Sequence, residues 1–405
     1  MPFLTRTLSP QSYGIVSLFT TILSLFGVLI GLSVHGAVGV RLFETTKEKL
    51  AEYVFACFCL ITFAAALLMF FLLAFDNYFQ RLTTIPLWLL IAAVFAAFLQ
   101  TIIQVRLVIW QMASNACKFV IFQTGRCFFE AAFSVFFVSF CGLNWSGRVI
   151  GIVLPTLLFG AFSLVSLIQD RLIAFNIQWN VDAKAASKFG LPLLPHALAG
   201  LLICYGDRFV VAKVLGEDMT GIYTSAWQVS SLINLLTISM NQAFAPWLLS
   251  ALKSNDESIK RKIVIKTYLF FALLLCSGIL FGMMGQEIFP YFVGKKFQEA
   301  SFLVLPLSLG FAFHGCYLAV TNYVFYAKKT LLLGASSFLI CIIYFISSFF
   351  FTLRLGLTGT AIAFLLSYFL LFLSTWVLAA KAFKMPWFKM IYARNTRDEN
   401  ISHRG

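Results

Sequence analysis

The chain has 405 residues, of which 60% are hydrophobic and 11% charged, and its mean hydropathy is +0.90. Soluble domains carry roughly a quarter charged residues, so this composition excludes an ordinary soluble enzyme. The formal net charge of +14 is scattered through short connecting segments, which excludes the clustered basic face of a nucleic-acid binder and points to orientation in a membrane.

Taken in order, apolar runs long enough to cross a hydrocarbon core of roughly 30 Å recur along the chain. Spans are predicted at Tyr13–Val34, Tyr53–Phe75, Ile85–Gln104, Phe119–Cys141, Gly147–Ile168, Leu191–Leu215, Gly221–Leu249, Ile263–Met284, Ala300–Tyr326, Leu331–Phe351 and Gly356–Ala380. The fold class is therefore all-α and polytopic, with eleven spans. The polar stretch 169–190 is the longest linker and divides the chain into a first bundle (1–168) and a second (191–380), followed by a tail (381–405). The opening residues Met1–Gln11 do not read as a signal peptide. Basic residues favour alternate loops, such as Arg41–Lys49 and Lys260–Lys262, about threefold over the others, which predicts that the linker and the tail are cytoplasmic.

An internal repeat underlies the pattern. An offset of 207 lays Arg6 on Lys213, Leu8 on Leu215, Gly14 on Gly221 and Ile15 on Ile222, and it superposes the spans that follow. In the second half a full helix precedes this turn. The first half has only seven residues there, so the front of a twelfth helix is expected to be missing.

Charged groups inside apolar runs are costly and usually face a cavity or a partner. Glu130 and Asp207 are the acids read as lying within spans; Arg126 and Arg208 are the bases. Arg126 and Glu130 are four apart on one helix face, which fits either a mutual bridge or an Arg126 turned to an anionic substrate. Asp207 and Arg208 are adjacent, so their side chains diverge by about 100° and each is expected to need its own partner, in the bundle or in the substrate. His35, His196 and His314 lie in or near separate spans, with no spacing for a metal. His196 follows Pro195, where a broken helix start leaves a polar position or a cavity contact. Asn241, Gln242 and Pro246 sit late in their helix, at a Pro kink. The nine cysteines lack metal or CxxC spacing and read as small buried apolar residues. The tail segment Lys384–Tyr392 reads as an interfacial anchor.

Three segments carry a resemblance. Leu4–Gly14, the run Leu191-Pro192-Leu193-Leu194-Pro195-His196 through Asp207-Arg208-Phe209, and Asn241-Gln242-Ala243-Phe244-Ala245-Pro246-Trp247 together resemble bacterial polysaccharide (O-antigen-type) flippases. These belong to the multidrug/oligosaccharidyl-lipid/polysaccharide exporter superfamily. The resemblance implies two helical bundles around a central cavity and alternating access for a polyprenyl-pyrophosphate-linked oligosaccharide. It makes Arg208, Asp207, Arg126, Glu130, His196, His35, Asn241 and Gln242 the cavity candidates. Partners would be the lipid-linked substrate, the bilayer and other polysaccharide-assembly membrane proteins, with no nucleic acid and no cofactor, and proton or sodium coupling left open. A drug/cation antiporter of the same superfamily would be expected to keep more cavity acids. A glycosyltransferase or polymerase would need a polar catalytic loop, and none is long enough.

Overall fold

In hydrocarbon every backbone N–H and C=O must be satisfied within its own segment, and helices do this. The computed structural model describes residues 2–76, 85–177, 179–252, 257–327, 329–383 and 385–387, and among them there is no strand. Eleven of the described helical segments are long and apolar enough to span a membrane. Their outward faces are apolar, as with Phe63, Leu67 and Phe70, because lipid rather than water solvates them.

Contacts divide the chain into two compact units. The first comprises Met1–Thr224 with Val293–Phe297, and the second Ser225–Phe292 with Gln298–Gly405. In the first unit α1 (Pro2–Thr7) leads to α2 (Pro10–Gly31), whose start is fixed by Ser9: its Oγ accepts from the Ser12 N–H at 3.1 Å, while Pro10 opens the first turn. Leu32 and Ser33, both at positive φ (44° and 54°), then break the run before α3 (Val34–Glu44). Two non-glycine residues in succession there store strain of order 1–2 kcal/mol each. The unit continues with α4 (Lys47–Ala74), α5 (Leu87–Met112), α6 (Ala116–Val135, ending in the π-turn Phe136–Phe140) and α7 (Asn144–Gln169). Helix α2 packs on α5, and α6 on α7.

The stretch expected to be a linker is largely structured. Residues Trp179–Gly190 form an amphipathic helix, α8, whose small residues Ala183, Ala186 and Gly190 are buried and which packs on α4. The predicted span Leu191–Leu215 is likewise broken into a 3-10 turn at Leu191–Leu193, helix α9 (Leu194–Tyr205) and helix α10 (Asp207–Leu215). Pro192 and Pro195 at the front and Gly206 between the helices are the breaks. By contact, this segment packs with the first unit, against α2.

Helix α11 (Glu217–Ala251) runs from the first unit into the second. The second unit adds α12 (Glu257–Phe292), α13 (Val304–Tyr326), α14 (Thr330–Leu355) and α15 (Leu357–Ala382). Its core is aromatic, with Phe311 edge-on to both Trp227 and Phe364. Trp387 is not an interfacial anchor: it is 3% exposed, packs on Tyr268 and Tyr323, and its carbonyl accepts from the Tyr268 hydroxyl at 2.7 Å. The rest of the expected anchor, Lys384 and Phe388–Tyr392, lies outside the described residues, as do His403, Lys253, Lys328 and Arg81.

The repeat is visible within the first unit. Ser17 and Thr224, equivalent at the offset of 207, share a 2.7 Å hydroxyl–hydroxyl hydrogen bond. A Cβ at Gly14 would strike the Glu217 carbonyl, and a Cβ at Gly221 would strike the Pro10 carbonyl, which is the same contact with the two repeats exchanged. Such reciprocity marks a local two-fold relation. Close approach of the two backbones is what requires glycine at both positions.

Candidate functional site

Three helix faces in the first unit enclose a cavity of about 530 Å³. Ser24, Gly27, Val28 and Gly31 supply one face of α2, Gln100, Gln104, Leu107 and Val108 one face of α5, and Ala197, Leu201 and Tyr205 one face of α9. Each set follows helical spacing, so regular geometry alone brings them to a common wall. The strained turn adds Ser33, and α3 adds His35. The polar lining is neutral: serine hydroxyls, two amides, a phenol and an imidazole, beside the apolar Val28, Leu107, Val108 and Leu201. Neutral donors and acceptors at this density suit polyhydroxyl or amide-bearing groups better than an isolated ion. Burial lowers the pKa of His35 below its ordinary value, and its Nδ1 has no hydrogen-bond partner among the described residues.

Of the eight cavity candidates named from the sequence, only His35 is among the described residues that line this cavity. Ala197 lines it, but the neighbouring His196 does not; its Nδ1 is buried without a hydrogen-bond partner among the described residues. Gln100 and Gln104 were missed. The signal was present, since two glutamines four apart inside an apolar span line one helix face.

Asp207 and Arg208 do pair with each other, contrary to the expectation from their adjacent positions. The long arginine folds back so that Nη1 reaches Asp207 Oδ1 at 2.7 Å and the Cys204 carbonyl at 3.0 Å. Asp207 Oδ2 accepts from the Tyr223 hydroxyl at 2.5 Å. Asp207 is 0% and Arg208 2% exposed, so the pair is sealed within the unit and joins α10 to α11. The guanidinium also lies over the Tyr205 ring, 5.1 Å from its centroid, behind the cavity wall.

Arg126 and Glu130 do not bridge. Glu130 instead takes Arg148, with Nη2 at 2.9 Å from Oε1, and Arg148 also donates to Ser134 Oγ. Arg148 lies in α7, and Arg106, just past the predicted span Ile85–Gln104, lies in α5 and pairs with Asp170. Arg126 is half-buried, and its Nε has no hydrogen-bond partner among the described residues. In the second unit the Asn241 carbonyl oxygen accepts from Asn322 at 2.9 Å, whereas Gln242 is exposed. His314 Nδ1 lies 2.9 Å from Asn234 Oδ1. Among the described residues no trio of His, Cys, Asp or Glu is placed to hold a metal. The cysteines are not uniformly interior: Cys57, Cys316 and Cys341 are buried, while Cys117, Cys127, Cys141 and Cys276 are exposed.

Comparison with known proteins adds to this geometry. A family model described as polysaccharide biosynthesis protein matches residues 3–302. The chain is 23% identical over 349 residues to Lsg locus putative protein 1 of Haemophilus influenzae, covering 85% of this chain and 84% of that protein. It is 27% identical over 195 residues to the capsular polysaccharide biosynthesis protein CapF of Staphylococcus aureus, covering 45% and 47%. Among solved structures, the lipid II flippase MurJ in an inward closed conformation superposes with a TM-score of 0.73 at 16% identity, over 94% of this chain and 83% of that one. An inward-facing MATE family multidrug transporter of the MOP superfamily gives 0.71 at 15%, over 94% and 92%. At these identities the structural likeness establishes the fold alone, the multi-pass helical fold that those two proteins share.

Proposed function

Since the chain belongs to the polysaccharide biosynthesis protein family, we propose that it moves polyprenyl-pyrophosphate-linked oligosaccharide units across the bacterial cytoplasmic membrane by alternating access, supplying O-antigen, capsule or exopolysaccharide assembly. The observation that carries this reading is the cavity of Ser24, Ser33, His35, Gln100, Gln104 and Tyr205, where neutral hydrogen-bonding groups from separate helices line one space. Sugar hydroxyls require such partners once water is stripped from them. Among the described residues no carboxylate lines the cavity, which weighs against a drug/cation antiporter, because a cationic cargo or a coupling cation calls for one.

The pyrophosphate needs a cation. Arg208 is locked in its ion pair, Arg106 and Arg148 face carboxylates, and Arg126 forms no ion pair among the described residues. Arg126 is accordingly our candidate for the phosphate contact, its planar fork matching two phosphate oxygens. The orientation read from the basic loops places the linker region and the tail in the cytoplasm. The reading makes the chain a transporter rather than an enzyme.

Deletion of the gene in its host tests it. The expected result is loss of surface polysaccharide with accumulation of undecorated lipid-linked units on the cytoplasmic leaflet, restored by the full chain. Normal polysaccharide and no accumulation, in a host without a second flippase, would overturn the proposal.

A further inference from the structure

A second cavity of about 790 Å³, apart from the one assigned to cargo, is cut between α5, α6 and α7. Its size falls within the roughly 300–1,000 Å³ of ligand pockets. The walls are aromatic: Trp110, Phe122, Phe129, Phe159 and Phe162, with Phe122 edge-on to Trp110 at 5.4 Å and to Phe159 at 5.0 Å. Gly125 keeps the trough open between them.

One end is charged. Arg106 and Lys118 line it together with Asp170. These residues sit near the C-terminus of α5, the N-terminus of α6 and just past the C-terminus of α7, so all three helices bring their ends, and the charges, to the same side. Arg106 is 1% exposed, bonded to Asp170 and stacked on Trp110 at 4.3 Å, yet its Nε has no hydrogen-bond partner among the described residues. Lys118 is exposed and forms no ion pair among the described residues. Two cations against one carboxylate leave this end net positive, at the level where helix ends meet the membrane–water boundary. A cation pair above an apolar aromatic trough is complementary to a molecule with an anionic head and a hydrocarbon tail.

We propose that this cleft is a binding site for one anionic phospholipid, with its phosphate between Arg106 and Lys118 and an acyl chain along the Phe122–Phe162 trough. A bilayer phospholipid is the occupant favoured because the cleft's charged end lies at headgroup level and its net charge of one matches a single phosphodiester. The assignment does not rest on the identity of the transported cargo.

The test is native mass spectrometry of the full chain released from detergent after equilibration with equal phosphatidylglycerol and phosphatidylcholine. The wild type is expected to retain one phosphatidylglycerol in preference. Lys118→Gln, at an exposed position that does not hold the fold, is expected to lower that preference about tenfold, the loss of one charge-assisted hydrogen bond. Gly125→Leu fills the trough and is expected to remove both lipids; the Cβ itself meets Phe159 at an ordinary 3.6 Å. Equal retention of the two lipids by the wild type, or unchanged phosphatidylglycerol in both variants, overturns the proposal. Displacement by polyprenyl phosphate but not by phosphatidylglycerol also overturns it, and assigns the cleft to the carrier lipid.

Discussion

Asp207 accepts from Arg208 and from Tyr223 in a pocket closed to solvent, so each member holds the others' charge or dipole. Removing one partner of such a pair leaves an uncompensated buried charge. Asp207→Leu is therefore expected to cost about 3–5 kcal/mol, seen as a large fall in the thermal midpoint of the detergent-solubilised protein. The double variant Asp207→Leu/Arg208→Met should recover most of it; a single variant as stable as wild type would show that the pair is not structural. His35 carries a different prediction. Its folded pKa lies below its unfolded value near 6.5, so the unfolded chain binds the proton first as pH falls. Stability contributed by neutral His35 is thus present above about 6.5 and lost with acidification below it. His35→Gln should flatten the decline in thermal midpoint between about pH 7 and pH 5; parallel curves for the two proteins would refute it. At this scale the sequence was partly legible. It marked Asp207, Arg208, Arg126 and Glu130 as residues that need partners, because charge in an apolar run is visible in one dimension. Which partners they take was not: Arg148 reaches Glu130 from another helix, and the fold-back of Arg208 depends on rotamers that a helical wheel does not contain.

The helical elements themselves were easy to read, since length and apolarity define a span. Errors fell where apolarity was interrupted. The α8 helix looks polar by composition, yet it packs through Ala183, Ala186 and Gly190, and small residues carry little hydropathy signal. The offset of 207 was legible from four matched residues in one turn, and the structure gives it a physical meaning in the Ser17–Thr224 bond and the Gly14/Gly221 crossing. Gly14→Ala is predicted to cost about 1–3 kcal/mol, because its methyl meets the Glu217 backbone carbonyl, which cannot rotate away as a side chain would. Gly221→Ala should cost a similar amount by the reciprocal clash with Pro10, and Ser17→Ala only about 1 kcal/mol. Thermal unfolding of the three variants checks the order. If Ser17→Ala proved the most damaging, the close crossing would not be what joins the repeats.

For the molecule as a whole, the proposal of lipid-linked sugar transport rests on a polytopic helical fold, membership of a polysaccharide biosynthesis family and a neutral polar cavity. The cavity escaped the sequence reading because it is assembled from three helices far apart in the chain, and only His35 among its polar groups stood out as unusual. Gly27 offers a direct way to test it. A side chain there meets nothing within 4 Å at its Cβ, so Gly27→Trp can enter the cavity without disturbing the packing around it. The decisive measurement is export of lipid-linked oligosaccharide in a deletion strain complemented with Gly27→Trp, beside Leu339→Trp on an outward face that is 59% exposed, with membrane levels of both proteins matched. The account predicts export near wild type for Leu339→Trp and near the deletion background for Gly27→Trp; wild-type export through the plugged cavity would contradict it.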